Sequence, residues 1–181
     1  STAKHRQLIS NEYQEERDQR VLILIDCSHR MRSCDGRLSH FDQALNAAIL
    51  LAWFAVRQGD AVGLMTFGAP EQRFVQPAKS PAVVSRMLDS MFDLHPSTLT
   101  PDYRGAFTRL LTILHKRSLV VILTTLRDDS RDEIAAAIRP LVGRHLVLLA
   151  NIREAFIDEA ARQPIITFDD ALTCLGALEY D

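Results

Sequence analysis

The chain has 181 residues, 47% of them hydrophobic and 24% charged, the make-up of one folded domain with a real core. Its 21 basic and 23 acidic residues leave a formal net charge of −2, so, local patches apart, the sequence carries no electrostatic footprint for nucleic acid. No apolar run reaches the roughly 18–20 residues of a membrane span, no signal sequence opens the chain, and Cys27, Cys34 and Cys174 lack zinc spacing, so a reducing, cytoplasmic setting is expected.

In chain order, residues 1–20 are polar and charged, and QLISNEYQEE reads as a loosely alternating arm or edge strand. VLILID (21–26) is a continuous aliphatic run, the pattern of a strand covered on both faces, and it stops abruptly at Asp26. A polar loop, HRMRSCDGR, follows. A helix is then predicted over 39–58, started by a capping box of Ser39 and Asp42. Beyond Asn46 it is apolar nearly all round, AAILLAWFAV, which predicts a buried central helix. Gly59 and Asp60 end it.

AVGLMTF is a second buried strand, and RFVQP a short one that Pro77 should stop. Ser80-Pro81 and Thr100-Pro101 each read as a helix start. The first of these helices turns Val84, Met87, Leu88 and Met91 inward, and the second spaces Tyr103, Phe107, Leu110, Leu111 and Leu114 along one face. SLVVILTT is a third buried strand. Ser130 with Glu133 reads as another capping box, before a helix that Gly143 ends. HLVLLA is the fourth buried strand, and two short helical segments, about 153–162 and 168–178, close the chain.

Solid aliphatic strands alternating with helices mean an α/β sandwich of three layers, with a mostly parallel sheet between helices. Ligands of such sheets sit beyond the carboxyl ends of the strands. That rim gathers DCSHRM, the loop after TF, STLTPD and TTLRDD, and so Asp26, Ser28, Thr98, Thr100, Asp102 and Asp128.

Four chemistries compete there. A phosphoaspartyl nucleophile at Asp26 needs a second carboxylate two residues on, where Ser28 stands. A thiolate at Cys27 would have His29 and Arg30 beside it, but the phosphate-cradling Arg is missing because Ser33 occupies its place. No Gly-rich phosphate loop exists, and the six histidines never share ligand spacing on one helix face. An oxygen shell of Asp26, Ser28 and Thr100 suits Mg²⁺ better than any softer ion.

EYQEERDQRVLILIDCSHRM, SHFDQALNAAILLAWFAVRQGDAVGLMTFG, TPDYRGAF, KRSLVVILTTLRDD and RHLVLLANIRE, together spanning about 2–154, carry a specific resemblance. The chain resembles a von Willebrand factor A domain, and within that fold the bacterial family called domain of unknown function fifty-eight. The resemblance implies a Rossmann-type sandwich with one short antiparallel strand, over 21–181 and lacking the last strand. It also implies a non-catalytic protein-interaction module that works with a MoxR-type AAA ATPase, in a family whose full-length members often carry membrane helices. Against the family's metal-ion-dependent adhesion site, the third position of Asp-x-Ser-x-Ser is Arg30, and the acid expected after LT is Thr125. A hydroxyl and a carboxylate are lost and a fixed positive charge is gained, so no metal is expected. The partner-binding rim is then Asp26, Ser28, Arg30, Thr100, Asp102 and Asp128, with Arg30 as a resident cation paired to Asp26, Asp102 or Asp128. A metal-dependent hydrolase or phosphotransferase at the same rim is the alternative.

Overall fold

The computed structural model describes residues 19–127, 130–153 and 169. The expected N-terminal arm, the two closing helical segments and Asp128 lie outside the described residues.

Among the described residues five strands form the main sheet: β1 (Arg20–Asp26), β4 (Ala61–Phe67), β5 (Phe74–Ala78), β6 (Leu119–Thr124) and β7 (Leu146–Asn151), in the order β5-β4-β1-β6-β7. All neighbours run parallel except β4 and β5, which are antiparallel. The central strands β1, β4 and β6 are buried as their apolar runs predict, whereas β7, expected to be a fourth buried strand, is only partly covered because it lies at the edge of the described sheet. Alternation along β1 sends Val21, Ile23 and Ile25 to one core and Leu22 and Leu24 to the other. Helices α1 (His40–Arg57) and α2 (Ala82–Met91) cover the first face, and α3 (Tyr103–Ile113) and α4 (Arg131–Val142) cover the second. The expected three-layer α/β sandwich is therefore the observed one.

Several local expectations need correction. The polar loop after Asp26 is ordered into a 3-10 turn at His29–Arg32 and a small antiparallel pair, β2 (Cys34–Asp35) with β3 (Leu38–Ser39). Helix α1 begins with the expected box, in which the Ser39 hydroxyl accepts from Asp42 N–H and the Asp42 carboxylate accepts from Ser39 N–H. It is not buried all round, however. A stripe of small residues, Ala44, Ala48, Ala52 and Ala55, lies on the sheet, whereas Leu50, Trp53 and Phe54 stay exposed, Phe54 by 56%. A helix in an outer layer has one face against the sheet, and no further layer among the described residues covers the other. The Arg57 guanidinium lies over the Trp53 ring, 4.6 Å from its centroid.

Pro77 does not stop β5, which runs to Ala78. An edge strand can carry proline on the side that needs no N–H. Helix α2 buries Val83, Met87 and Met91, leaving Leu88 exposed. Helix α3 starts two residues later than expected, because the Asp102 carboxylate caps it by accepting from Gly105 N–H at 2.8 Å. The capping box at Ser130 does not form. Its hydroxyl is engaged otherwise, accepting from the Arg30 guanidinium and donating to the Arg127 carbonyl. Strand β7 is an edge of the described sheet, with Leu146 and Leu148 exposed.

Candidate functional site

Chain connections leave β1 toward β4 on one side and reach β6 on the other, so the sheet's order reverses at β1. The crevice beyond the carboxyl ends of β1 and β6 is the place where polar groups converge. Ile25 pairs with Leu123, so the next residues, Asp26 and Thr124, emerge side by side. The Thr124 hydroxyl donates to Asp26 Oδ2 at 2.6 Å, and Ser28 N–H donates to Oδ1 at 2.7 Å. Because the Thr124 proton points at the carboxylate, the Tyr103 hydroxyl, 3.4 Å away, is the donor to Thr124 Oγ1. Asp26, Ser28 and Thr124 are fully buried. Burial raises the Asp26 carboxyl above its ordinary 3.8, opposed by the Thr124 and Ser28 hydrogen bonds and then by the Arg30 charge.

The loop walls are pinned by backbone hydrogen bonds. Cys27 N–H donates to Phe67 O at 2.7 Å, Ser97 N–H to Cys27 O at 2.7 Å and His29 N–H to Leu99 O at 3.0 Å. The Ser97 hydroxyl donates to Gly68 O at 2.5 Å. Gly68 itself has φ +76°, and a Cβ there would meet Ser28 N at 2.8 Å and Asp26 Oδ1 at 3.0 Å. Only glycine lets the loop after β4 approach the acid so closely.

Of the residues named from the sequence, Asp26, Ser28 and Arg30 come together in the buried floor. Arg30 is 7% exposed, and its Nη1 donates to the Ser130 hydroxyl. Thr100 and Asp102 stand exposed on the outer lip, with Asp102 engaged in capping α3. Thr125 is buried with His40, whose Nδ1 lies 2.8 Å from Thr125 Oγ1. Thr124, Tyr103, Gly68, Ser130 and His40 were not singled out for the site by sequence reasoning. The polar ends of two parallel strands, Asp26 and Thr124, were the signal available for the first of these.

The donors can be weighed against a hard cation. Both Asp26 oxygens already accept hydrogen bonds, and a guanidinium shares the floor. The Ser28 hydroxyl is buried with no partner among the described residues. No group of three or more His, Cys, Asp or Glu side chains able to hold a metal occurs among the described residues. The neighbouring Cys27 thiol is pushed up to about 12, by burial first and then by the Asp26 charge, so it stays protonated.

The family model for "Protein of unknown function DUF58" matches residues 1–164. The chain belongs to that family. Among solved structures, it is similar to the SpRpn10 VWA domain, at 17% identity over 88% of this chain and 81% of that one, with a TM-score of 0.53. Similarity is lower to the conserved hypothetical protein BatB from Bacteroides thetaiotaomicron, at 17% identity over 74% of this chain and 66% of that one, TM-score 0.49. The TFIIH p34 N-terminal domain shares 16% identity over 88% of this chain and 98% of its own, TM-score 0.44. No curated protein matches the chain. The first of these structures places this DUF58 domain in the von Willebrand A-like fold. Among its described residues no helix is long and apolar enough to cross a membrane.

Proposed function

We propose that this DUF58 domain is a non-catalytic protein-interaction module whose rim is a degenerate metal-ion-dependent adhesion site. The observation that carries the reading is the floor of the rim. Asp26 is buried and hydrogen-bonded through both oxygens, and the Arg30 guanidinium is buried beside it, anchored on Ser130. A positive charge held there opposes a dication by Coulomb repulsion and partly neutralises the acid instead. Arg30 thus acts as a resident cation, donating to the Ser130 hydroxyl. The adjacent Cys27 thiol is not an activated nucleophile, since burial holds it protonated.

The partner touches the outer lip: Leu99, which is 47% exposed, with Thr100, Asp102 and His29 around it. By the family resemblance, that partner is a MoxR-type AAA ATPase. Titration of the domain with the MoxR-type ATPase of the same genome tests this. Leu99→Lys and Thr100→Arg, both on exposed side chains, should abolish binding without changing the melting temperature. Wild-type binding that survives both substitutions would remove the rim from the interface.

One observation favours a metal-dependent hydrolase or phosphotransferase, namely the buried Ser28 hydroxyl, which has no partner among the described residues. Turnover of a generic phosphoester that requires Mg²⁺ and is lost in Ser28→Ala would establish that second reading.

A further inference from the structure

The outer face of α1 is apolar and open. Leu50 is 59% exposed, Phe54 56%, Trp53 44% and Leu51 36%, and α2, packed beside α1 on the same side of the sheet, adds Leu88 at 49%. Leu50, Trp53, Phe54 and Arg57 recur at intervals of three and four, so they form one stripe along the helix, away from Ala44, Ala48 and Ala52 on the sheet. The side chains of this stripe are already fixed on one another. The Trp53 and Phe54 rings meet edge to face with centroids 5.1 Å apart, and the Arg57 guanidinium lies over the Trp53 ring. A partner seated there orders little that is not ordered already, which keeps the entropic cost of binding low.

Two features single out a second copy of this chain as that partner. The first is charge. Among the exposed residues of α1 only Asp42, in the first turn, and Arg57, in the last, are charged. They lie about 22 Å apart along the helix axis, and Leu50 stands midway between them. Two such helices crossing antiparallel about a two-fold axis at Leu50 bring each Arg57 guanidinium to the partner's Asp42, at both ends of the contact. A parallel pair would set like charges together, and it would also align the helix dipoles unfavourably. The second feature is area. A standard interface removes roughly 800 Å² from each partner, about 65% of it apolar in homodimers, so roughly 500 Å² of apolar surface is needed. Five large side chains, each about half exposed, offer on the order of 100 Å² apiece, which meets that need.

We propose that the outer face of α1, with Leu50 at its centre, is a self-association surface on which a second copy of this chain docks antiparallel. The contact buries Leu50, Trp53 and Phe54 of both copies and is closed at each end by an Arg57–Asp42 ion pair. None of the rim residues takes part, so the dimer does not depend on the function proposed for the rim.

Sedimentation equilibrium of the full chain from micromolar to millimolar concentration is the test, with thermal melting by circular dichroism as the check on folding. The wild type is expected as a reversible monomer–dimer equilibrium. Leu50→Lys sets two ammonium groups against each other at the axis and should leave a folded monomer. Should that variant fail to fold, Phe54→Ser, at a side chain that is 56% exposed, repeats the measurement. Arg57→Glu turns each end of the contact into a pair of acids and should raise the dimer Kd by about tenfold or more. Three results would each overturn the proposal. One is a wild type that stays monomeric at every concentration, as it would if another protein or another segment of the chain covers this face. Another is a dimer that persists in Leu50→Lys or Phe54→Ser, which would move the contact elsewhere. The third is an unchanged Kd in Arg57→Glu.

Discussion

Gly68→Ala probes how closely the rim is packed. Two costs add at this position. The left-handed backbone, φ +76°, carries about 1–2 kcal/mol for a residue with a Cβ. The added methyl meets Ser28 N at 2.8 Å and Asp26 Oδ1 at 3.0 Å, distances at which the loop must shift, and overpacking of this kind costs about 1–3 kcal/mol. Their sum, roughly 2–5 kcal/mol, is a large part of the total stability of an ordinary domain. Gly36 is the control. Its φ is +66°, yet a Cβ there has nothing within 4 Å, so Gly36→Ala carries the backbone cost alone. Urea unfolding followed by circular dichroism gives both midpoints. Each kcal/mol also lowers the melting temperature by roughly 2–4 °C in a chain of this size. Equal losses in the two variants would refute the claim that the loop after β4 is packed against the acid.

Asp26→Asn should equal or exceed the wild type in stability at neutral pH. A raised native pKa gives stability that is complete below the ordinary 3.8 and lost as pH rises through the native value, and urea midpoints across acidic to neutral pH would show the wild type losing that contribution and the variant not. Ser130→Ala removes the described acceptor of the buried Arg30 guanidinium and should cost about 1–3 kcal/mol by the same unfolding assay. Mg²⁺ should leave the melting temperature where a chelator leaves it, whereas a bound ion at a hundredfold excess over its Kd would add about 2.7 kcal/mol. Iodoacetamide at neutral pH should label the exposed Cys34 and spare the buried Cys27, as peptide mass spectrometry would show.

Three of the four strands read as buried were legible in the sequence because a strand covered on both faces must be apolar at every position, whereas HLVLLA, equally apolar, is an exposed edge of the described sheet. VLILID, AVGLMTF and SLVVILTT are therefore the buried centre of the sheet, and Asp26, at the end of the first, reaches its rim. The capping box of α1 was legible for a similar reason, since both of its partners lie three residues apart. What depends on distant residues was not. Helix α1 reads as buried all round, yet its exposed face is decided by which layers exist outside it, which no local pattern encodes. Ser130 and Glu133 have the spacing of a cap, but Arg30, a hundred residues earlier, takes the hydroxyl. The pairing of Asp26 with Thr124 is likewise a product of chain crossing. Periodicity and local spacing come from contacts within a few residues and can be read directly. Contacts across the sheet are decided only when the strands take their order, and the rim is built from such contacts.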